Sequence, residues 1–188
     1  MGMNTRYVKE YFYKKKIRSM FVWNLEIIAA ILLAAAFSWF FCRSVVVQEG
    51  SMEPTLVPGE RVLMDSAWYR LSFPKRGDII AFRTSEDKKA SIHIKRVIAL
   101  PGETVQIKDG QILINGEVYN EKDEFPAITN AGLASEPITV GKGQYFVLGD
   151  NRNNSEDSRH NGMGLVDSDR IVGKLWFTIS PWKKIGFV

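Results

Sequence analysis

Positions 21–42 (FVWNLEIIAAILLAAAFSWFFC) form one predominantly apolar run, and no comparable run follows it in the 188-residue chain. As a helix these residues would measure roughly 33 Å at about 1.5 Å per residue, close to the hydrocarbon thickness of a bilayer. Tyr11, Phe12 and Tyr13 precede the run, and Trp39, Phe40 and Phe41 stand near its exit. Aromatic belts of this kind suit the headgroup interface. Ala34-Ala35-Ala36 resembles a small-residue cleavage site, but the apolar run continues through Phe37 to Cys42, which favours a retained anchor over a removable signal. Glu26 lies near the start of the run, within reach of the interface.

Beyond the run the pattern changes to short β-branched stretches punctuated by Gly and Pro. Strands are predicted at 44–48, 60–65, 79–83 and 91–100. In the second, Val62 and Met64 fall on one face and Leu63 on the other. Residues 105–108, 111–114 and 117–119 are separated by Asp109-Gly110 and Asn115-Gly116. Those dipeptides tolerate positive φ at both turn positions, so the three stretches read as a hairpin meander. Residues 120–137 lack periodicity and read as a loop; 145–148 and 171–179 are the last strand candidates. Glu86-Asp87-Lys88-Lys89 reads as a solvated turn. The expected fold is mainly β: a twisted antiparallel, barrel-like β-sheet domain preceded by one N-terminal transmembrane helix. Its expected divisions are a basic segment at 1–20, the helix at 21–42 and the β-rich domain at 43–188, with 104–140 as a hairpin and loop insertion.

Charge sets the direction of the anchor. Arg6, Lys9, Lys14, Lys15, Lys16 and Arg18 against Glu10 leave the first twenty residues at +5, so the rest of a chain of net +4 carries −1. The basic character belongs to the tail and gives no support for nucleic-acid binding. A basic flank before the helix predicts a cytoplasmic N-terminus and an extracytoplasmic domain. One cysteine, Cys42, excludes a disulfide framework and is read as a passive apolar residue. Two histidines, His93 and His160, offer little for a zinc site, and no metal or other cofactor is expected.

The candidate chemistry is nucleophilic. Ser51 sits between a glycine and a Met-x-Pro turn, shortly after the apolar run. A serine hydroxyl needs a base within hydrogen-bond reach. Lys95 lies between Ile94 and the Val97-Ile98 pair, and burial in such surroundings would lower its pKa enough for it to act as one. On local context alone, a surface lysine and an incidental Gly-Ser turn remain open.

Three blocks resemble bacterial type I signal peptidase, the Ser/Lys protease family that removes signal peptides, in its compact Gram-positive form. Gly50-Ser51-Met52-Glu53-Pro54-Thr55-Leu56 is similar to the family's nucleophile block. Lys95-Arg96-Val97-Ile98-Ala99-Leu100-Pro101-Gly102-Glu103 is similar to its base block. Residues 149–159 (GDNRNNSEDSR) resemble its Gly-Asp-Asn-Arg block, and Arg76-Gly77-Asp78-Ile79 fits a weaker one. The resemblance implies Ser51 as nucleophile, Lys95 as general base, Ser155 orienting the Lys95 amine, and Asp157 with Arg159 as an ion pair behind the site. Asp150 and Asn151 are expected to shape their own turn, and Arg96 to be solvated or ion-paired. The implied substrates are signal peptides of exported preproteins, cut after small residues of Ala-x-Ala type at the bacterial cell membrane, in company with the export machinery. Val45, Val47, Met52, Leu56 and Ile94 are candidate pocket walls, though apolar strand residues are more often core.

Two positions depart from the family pattern. Relatives carry serine or glycine two positions before the nucleophile as part of the oxyanion site, whereas this chain has Glu49, expected to point away from a developing negative charge. His93, two residues before Lys95 and so on the same strand face, is expected to be a pocket-edge ring rather than the base. The rival functions are a self-cleaving repressor-type peptidase, for which Ala131-Gly132 supplies a suitable bond but the anchor argues against; a processing peptidase dedicated to pili or conjugation; and a non-catalytic membrane-tethered β-module.

Overall fold

The computed structural model describes residues 5–41, 43–66, 72–85, 87 and 90–188. The chain divides into two compact units, Met1–Phe40 and Phe41–Val188. The first contains helix α1, Thr5–Phe41, 37 residues long. It begins well before the apolar run because neither Gly nor Pro stands between Thr5 and that run to interrupt helical geometry. Within it, Arg18–Ala36 has a mean hydropathy of 1.9 and is long and apolar enough to cross a membrane. The mainly β fold behind a single apolar helix is thus the observed architecture. The expectations for Cys42, for the aromatic belts and for residues 86, 88 and 89 lie outside the described residues or side chains.

Among the described residues, the second unit holds twelve strands, all paired antiparallel. They are β1 Arg43–Val46, β2 Arg61–Asp65, β3 Ile79–Arg83, β4 Ile92–Ala99, β5 Thr104–Lys108, β6 Gln111–Ile114, β7 Glu117–Val118, β8 Ile138–Thr139, β9 Gln144–Leu148, β10 Val166–Asp167, β11 Ile171–Ser180 and β12 Gly186–Phe187. The large sheet runs β1-β2-β11-β3-β4-β9-β10, with β12 also on β11; the small sheet runs β7-β6-β5-β8.

Strand β3 (IIAFR) is apolar at four consecutive positions and is buried at all four, as expected where both faces of a sheet are covered. Ile79 and Ala81 join one core cluster, with Val47, Met52, Leu56, Val62, Met64, Ile94 and Leu175. Ile80 and Phe82 join another, with Val97, Tyr145, Val147 and Val166. The small sheet packs Val105, Ile107, Ile112 and Ile114 against Ile98, Phe146 and Leu148. Its turns have the predicted geometry: φ is 52° at Asp109 and 77° at Gly110, and 52° at Asn115 and 84° at Gly116. β4 therefore lies between β3 and β9, with core on both sides, and Lys95 is at its centre.

Candidate active site

Residues 47–60 leave β1, turn, and return to β2. The ends of this loop are tied by Val47 N–H to the Glu60 carbonyl at 2.9 Å and Gly59 N–H to the Val47 carbonyl at 2.8 Å. The loop is anchored from inside by Met52 and Leu56, both fully buried. Between these ties, Gly50–Met52 forms one turn of 3₁₀ helix, with Ser51 buried to 7 % exposure. A second strap comes from the far block: Asn151 donates from its backbone N–H to the Ser51 carbonyl at 3.0 Å and from Nδ2 to the Gly50 carbonyl at 3.2 Å.

Lys95, opposite Ile80 on β3, is 0 % exposed. Its Nζ lies 2.6 Å from Ser51 Oγ, across 44 residues of sequence. Burial lowers the Lys95 pKa from its ordinary value; the Glu49 carboxylate and, farther off, Asp157 and Glu156 act in the opposite direction. An amine shielded from water beside a hydroxyl is the arrangement a lysine base requires.

Glu49 is half-exposed, yet its carboxylate is directed at Lys95 and His93. Its Oε2 is 3.5 Å from Lys95 Nζ and its Oε1 is 3.3 Å from His93 Nδ1. His93 and Lys95 do share one side of β4, as a two-residue separation demands, and Glu49 faces both.

The block at 149–159 is a knot of buried polar groups. Arg159 donates from Nε and Nη2 to the two oxygens of Asp157, each at 2.8 Å, which is the expected ion pair. Asp157 is also fully buried, and its Oδ2 accepts the Gly149 N–H at 3.1 Å. Arg159 further donates to the Arg152 carbonyl at 2.7 Å and the Asn130 carbonyl at 3.1 Å. A Cβ at Gly149 would lie 2.2 Å from Ser155 Oγ and 2.4 Å from the Ser51 carbonyl oxygen, so the block presses directly on the Ser51 backbone.

Three expectations need correction. Ser155 makes no hydrogen bond to Lys95: its Oγ is buried against Gly149 with no partner, while the amine is engaged by Ser51 and Glu49. Asp150 does not cap its own turn. Its carboxylate is buried and takes both arms of Arg96, at 2.7 and 2.6 Å, because a guanidinium fork satisfies a buried carboxylate better than a local amide can. The Asn151 side chain binds the 47–60 loop at the Gly50 carbonyl instead of its own backbone. The structure also adds residues that the sequence did not single out. Arg152 is buried and forks onto Glu121, with Nη2 at 2.6 Å, and Phe125 packs under both Arg152 and Arg96, with ring centroids 4.3 and 5.4 Å away. The Arg152–Glu121 and Arg96–Asp150 pairs span 31 and 54 residues, and nothing in the local pattern announces them.

Of the candidate pocket residues, Val47, Met52, Leu56 and Ile94 are buried together in one apolar cluster, with Val45 half-buried against it. They form the floor beneath the loop that carries Ser51.

Comparison with known proteins extends this geometry. The family described as signal peptidase, peptidase S26, matches residues 20–182. Signal peptidase I T of Bacillus subtilis is 41 % identical over 180 residues, covering 92 % of this chain and 91 % of that protein. Signal peptidase I of Bacillus licheniformis is 38 % identical over 178 residues, covering 90 % and 94 %. A crystal structure of a signal peptidase I from Enterococcus faecalis is 34 % identical, covering 55 % of this chain and 97 % of that one, with a TM-score of 0.45. A match across most of the chain, including the apolar helix from residue 20 and the loops carrying Ser51 and Lys95, means that this protein belongs to the signal peptidase I family.

Proposed function

We propose that the protein is a membrane-bound serine endopeptidase that cleaves signal peptides from exported preproteins, with Ser51 as nucleophile and Lys95 as general base. The observation that carries this reading is the 2.6 Å separation of Lys95 Nζ from Ser51 Oγ, with the amine wholly buried. Neutral Lys95 accepts the Ser51 proton as Oγ attacks the scissile carbonyl. The ammonium then protonates the leaving amine, and an ester-linked acyl-enzyme remains. Water, deprotonated by the same amine, hydrolyses the ester and restores Ser51. The substrate lies extended beside the nucleophile loop and adds main-chain hydrogen bonds as a strand; β1, at the end of the large sheet, leads into that loop. Small residues at the first and third positions before the cut, alanine above all, suit a site whose half-buried Val45 is backed by Val47, Met52, Leu56 and Ile94.

The Asp157–Arg159 pair holds Gly149 and, through it, the Ser51 backbone, so these residues position the chemistry without entering it. Ser155 belongs to the same packing. The basic segment at 1–20 places the N-terminus in the cytoplasm, the apolar stretch crosses the cell membrane once, and the β domain from residue 43 works on the outer side, where the export machinery delivers preproteins.

The test is processing of a preprotein bearing an Ala-x-Ala site by the full-length protein in detergent. Ser51→Ala and Lys95→Ala should each lower the rate at least about a thousandfold. A Lys95→Ala protein that still processes, or a His93→Ala protein as inactive as Ser51→Ala, would transfer the base role to histidine.

A further inference from the structure

Glu49 is the residue at this site that the shared chemistry does not use. Its side chain is 49 % exposed, while the amine it touches is sealed from solvent. The groups around Lys95 Nζ are few. Ser51 Oγ is bonded to it, and Ile80 stands opposite on β3. Asp157 and Glu156 act from the 149–159 block, but Asp157 is committed to Arg159 and to the Gly149 N–H. His93 shares the strand face and meets the other oxygen of Glu49. Among the described residues, Glu49 is therefore the one carboxylate in direct contact with the amine.

On the Ser51/Lys95 reading, we propose that Glu49 is a positioning residue that fixes the Lys95 amine beside Ser51 and sets the pH at which that amine becomes a base. A carboxylate about 3.5 Å from an amine favours the ammonium, whereas burial favours the neutral form. Burial is a property of the folded core and does not change from turnover to turnover. The Glu49 contact is with a half-exposed side chain, shared with His93, so it is the adjustable member of the opposing pair. The protein thus holds its base charged at low pH, with the amine tied to Glu49, and releases it for catalysis as the pH rises. A glycine or serine at position 49 would lack this restraint.

The experiment is the pH dependence of kcat/KM, measured with full-length protein in detergent micelles and a peptide substrate that has no group titrating between about pH 5 and 10. Glu49→Gln removes the charge and keeps the shape. Its rising limb should lie about one pH unit below that of the unchanged protein, giving about tenfold higher kcat/KM at a pH well below the limb. A limb that stays in place or moves upward overturns the proposal; a purely structural role would scale the rate at every pH and leave the limb where it was. The same proteins carrying ¹³Cε-labelled lysine give an independent reading, with the Lys95 signal identified by its loss in Lys95→Ala. Its titration midpoint should fall in Glu49→Gln, and an unchanged midpoint also overturns the proposal. If Lys95→Ala remains active, the base assignment fails, and the lysine titration still decides whether Glu49 tunes the amine. If Lys95→Ala is inactive and neither limb nor midpoint moves, only the role of Glu49 is lost.

Discussion

Asp157 and Arg159 stand two positions apart in one block, yet their pairing differs in kind from the ion pairs on the surface. Both side chains are out of water, and the carboxylate also holds the Gly149 N–H. Breaking such a pair leaves a buried guanidinium uncompensated, at a cost of about 3–5 kcal/mol. Asp157→Asn should lower the stability measured by urea denaturation by roughly that amount. The exposed Arg170–Asp167 pair provides the contrast, because solvent and salt screen it. Removing it by Asp167→Asn should cost less than about 1 kcal/mol in the same assay. Gly149 converts the stability of this block into geometry. A methyl group there would meet the Ser51 carbonyl oxygen at 2.4 Å and must displace it. Since displacements near 1 Å can cost about 10² in rate, Gly149→Ala should lose at least about a hundredfold in kcat/KM for preprotein cleavage. An unchanged rate would show that the block does not position the nucleophile.

The meander β5–β7 isolates a different effect, the conformational demand of a turn. Gly116 sits at φ 84° with open space where its Cβ would be. Gly116→Ala meets no neighbour and suffers only the strain of the left-handed region, about 1–2 kcal/mol, which chemical denaturation would register with catalysis intact. These turns were legible in the sequence because their requirement is local: Asp-Gly and Asn-Gly supply positive φ wherever they stand. The longer strands β2, β3, β4, β5, β6, β9 and β11 were legible for the same reason, since each carries its apolar pattern within its own length. β8, β10 and β12 are two residues long and hold no period to read. The start of α1 was missed because a basic segment can be helical without an apolar pattern. At the site, motif resemblance singled out Ser51 and Lys95, and folding brings them together. The pairing of Arg96 with Asp150, and of Arg152 with Glu121, was hidden because it depends on which loops meet in space. Ser155 was misjudged because motif position does not say which way a short side chain turns: its Oγ packs against Gly149, and the Lys95 amine meets Ser51 and Glu49 instead.

At the scale of the whole molecule, the central question is how a fold carries a sealed lysine at all. Every other side chain in the middle of β3 and β4 that is fully buried is apolar, and Lys95 occupies a position that a hydrocarbon would fill at no electrostatic cost. Its pKa is lowered in the folded protein from the ordinary 10.5. The unfolded chain therefore binds more protons than the folded one between the depressed value and about 10.5, and stability rises with pH across that window. Below the depressed value the full penalty is felt; as the pH approaches the unfolded value it is relieved. Lys95→Met keeps the length of the side chain and removes the charge. It should abolish processing and yet make the domain more stable at neutral pH, the usual sign of a residue kept for chemistry rather than for folding. The gain, read from thermal or urea unfolding at matched pH values, should be largest near or below neutrality and should shrink as the pH is raised towards 10. A Lys95→Met protein that is less stable than the parent at pH 7, or a gain that grows with pH, would mean that the amine stays charged in the folded state and that Glu49 outweighs burial.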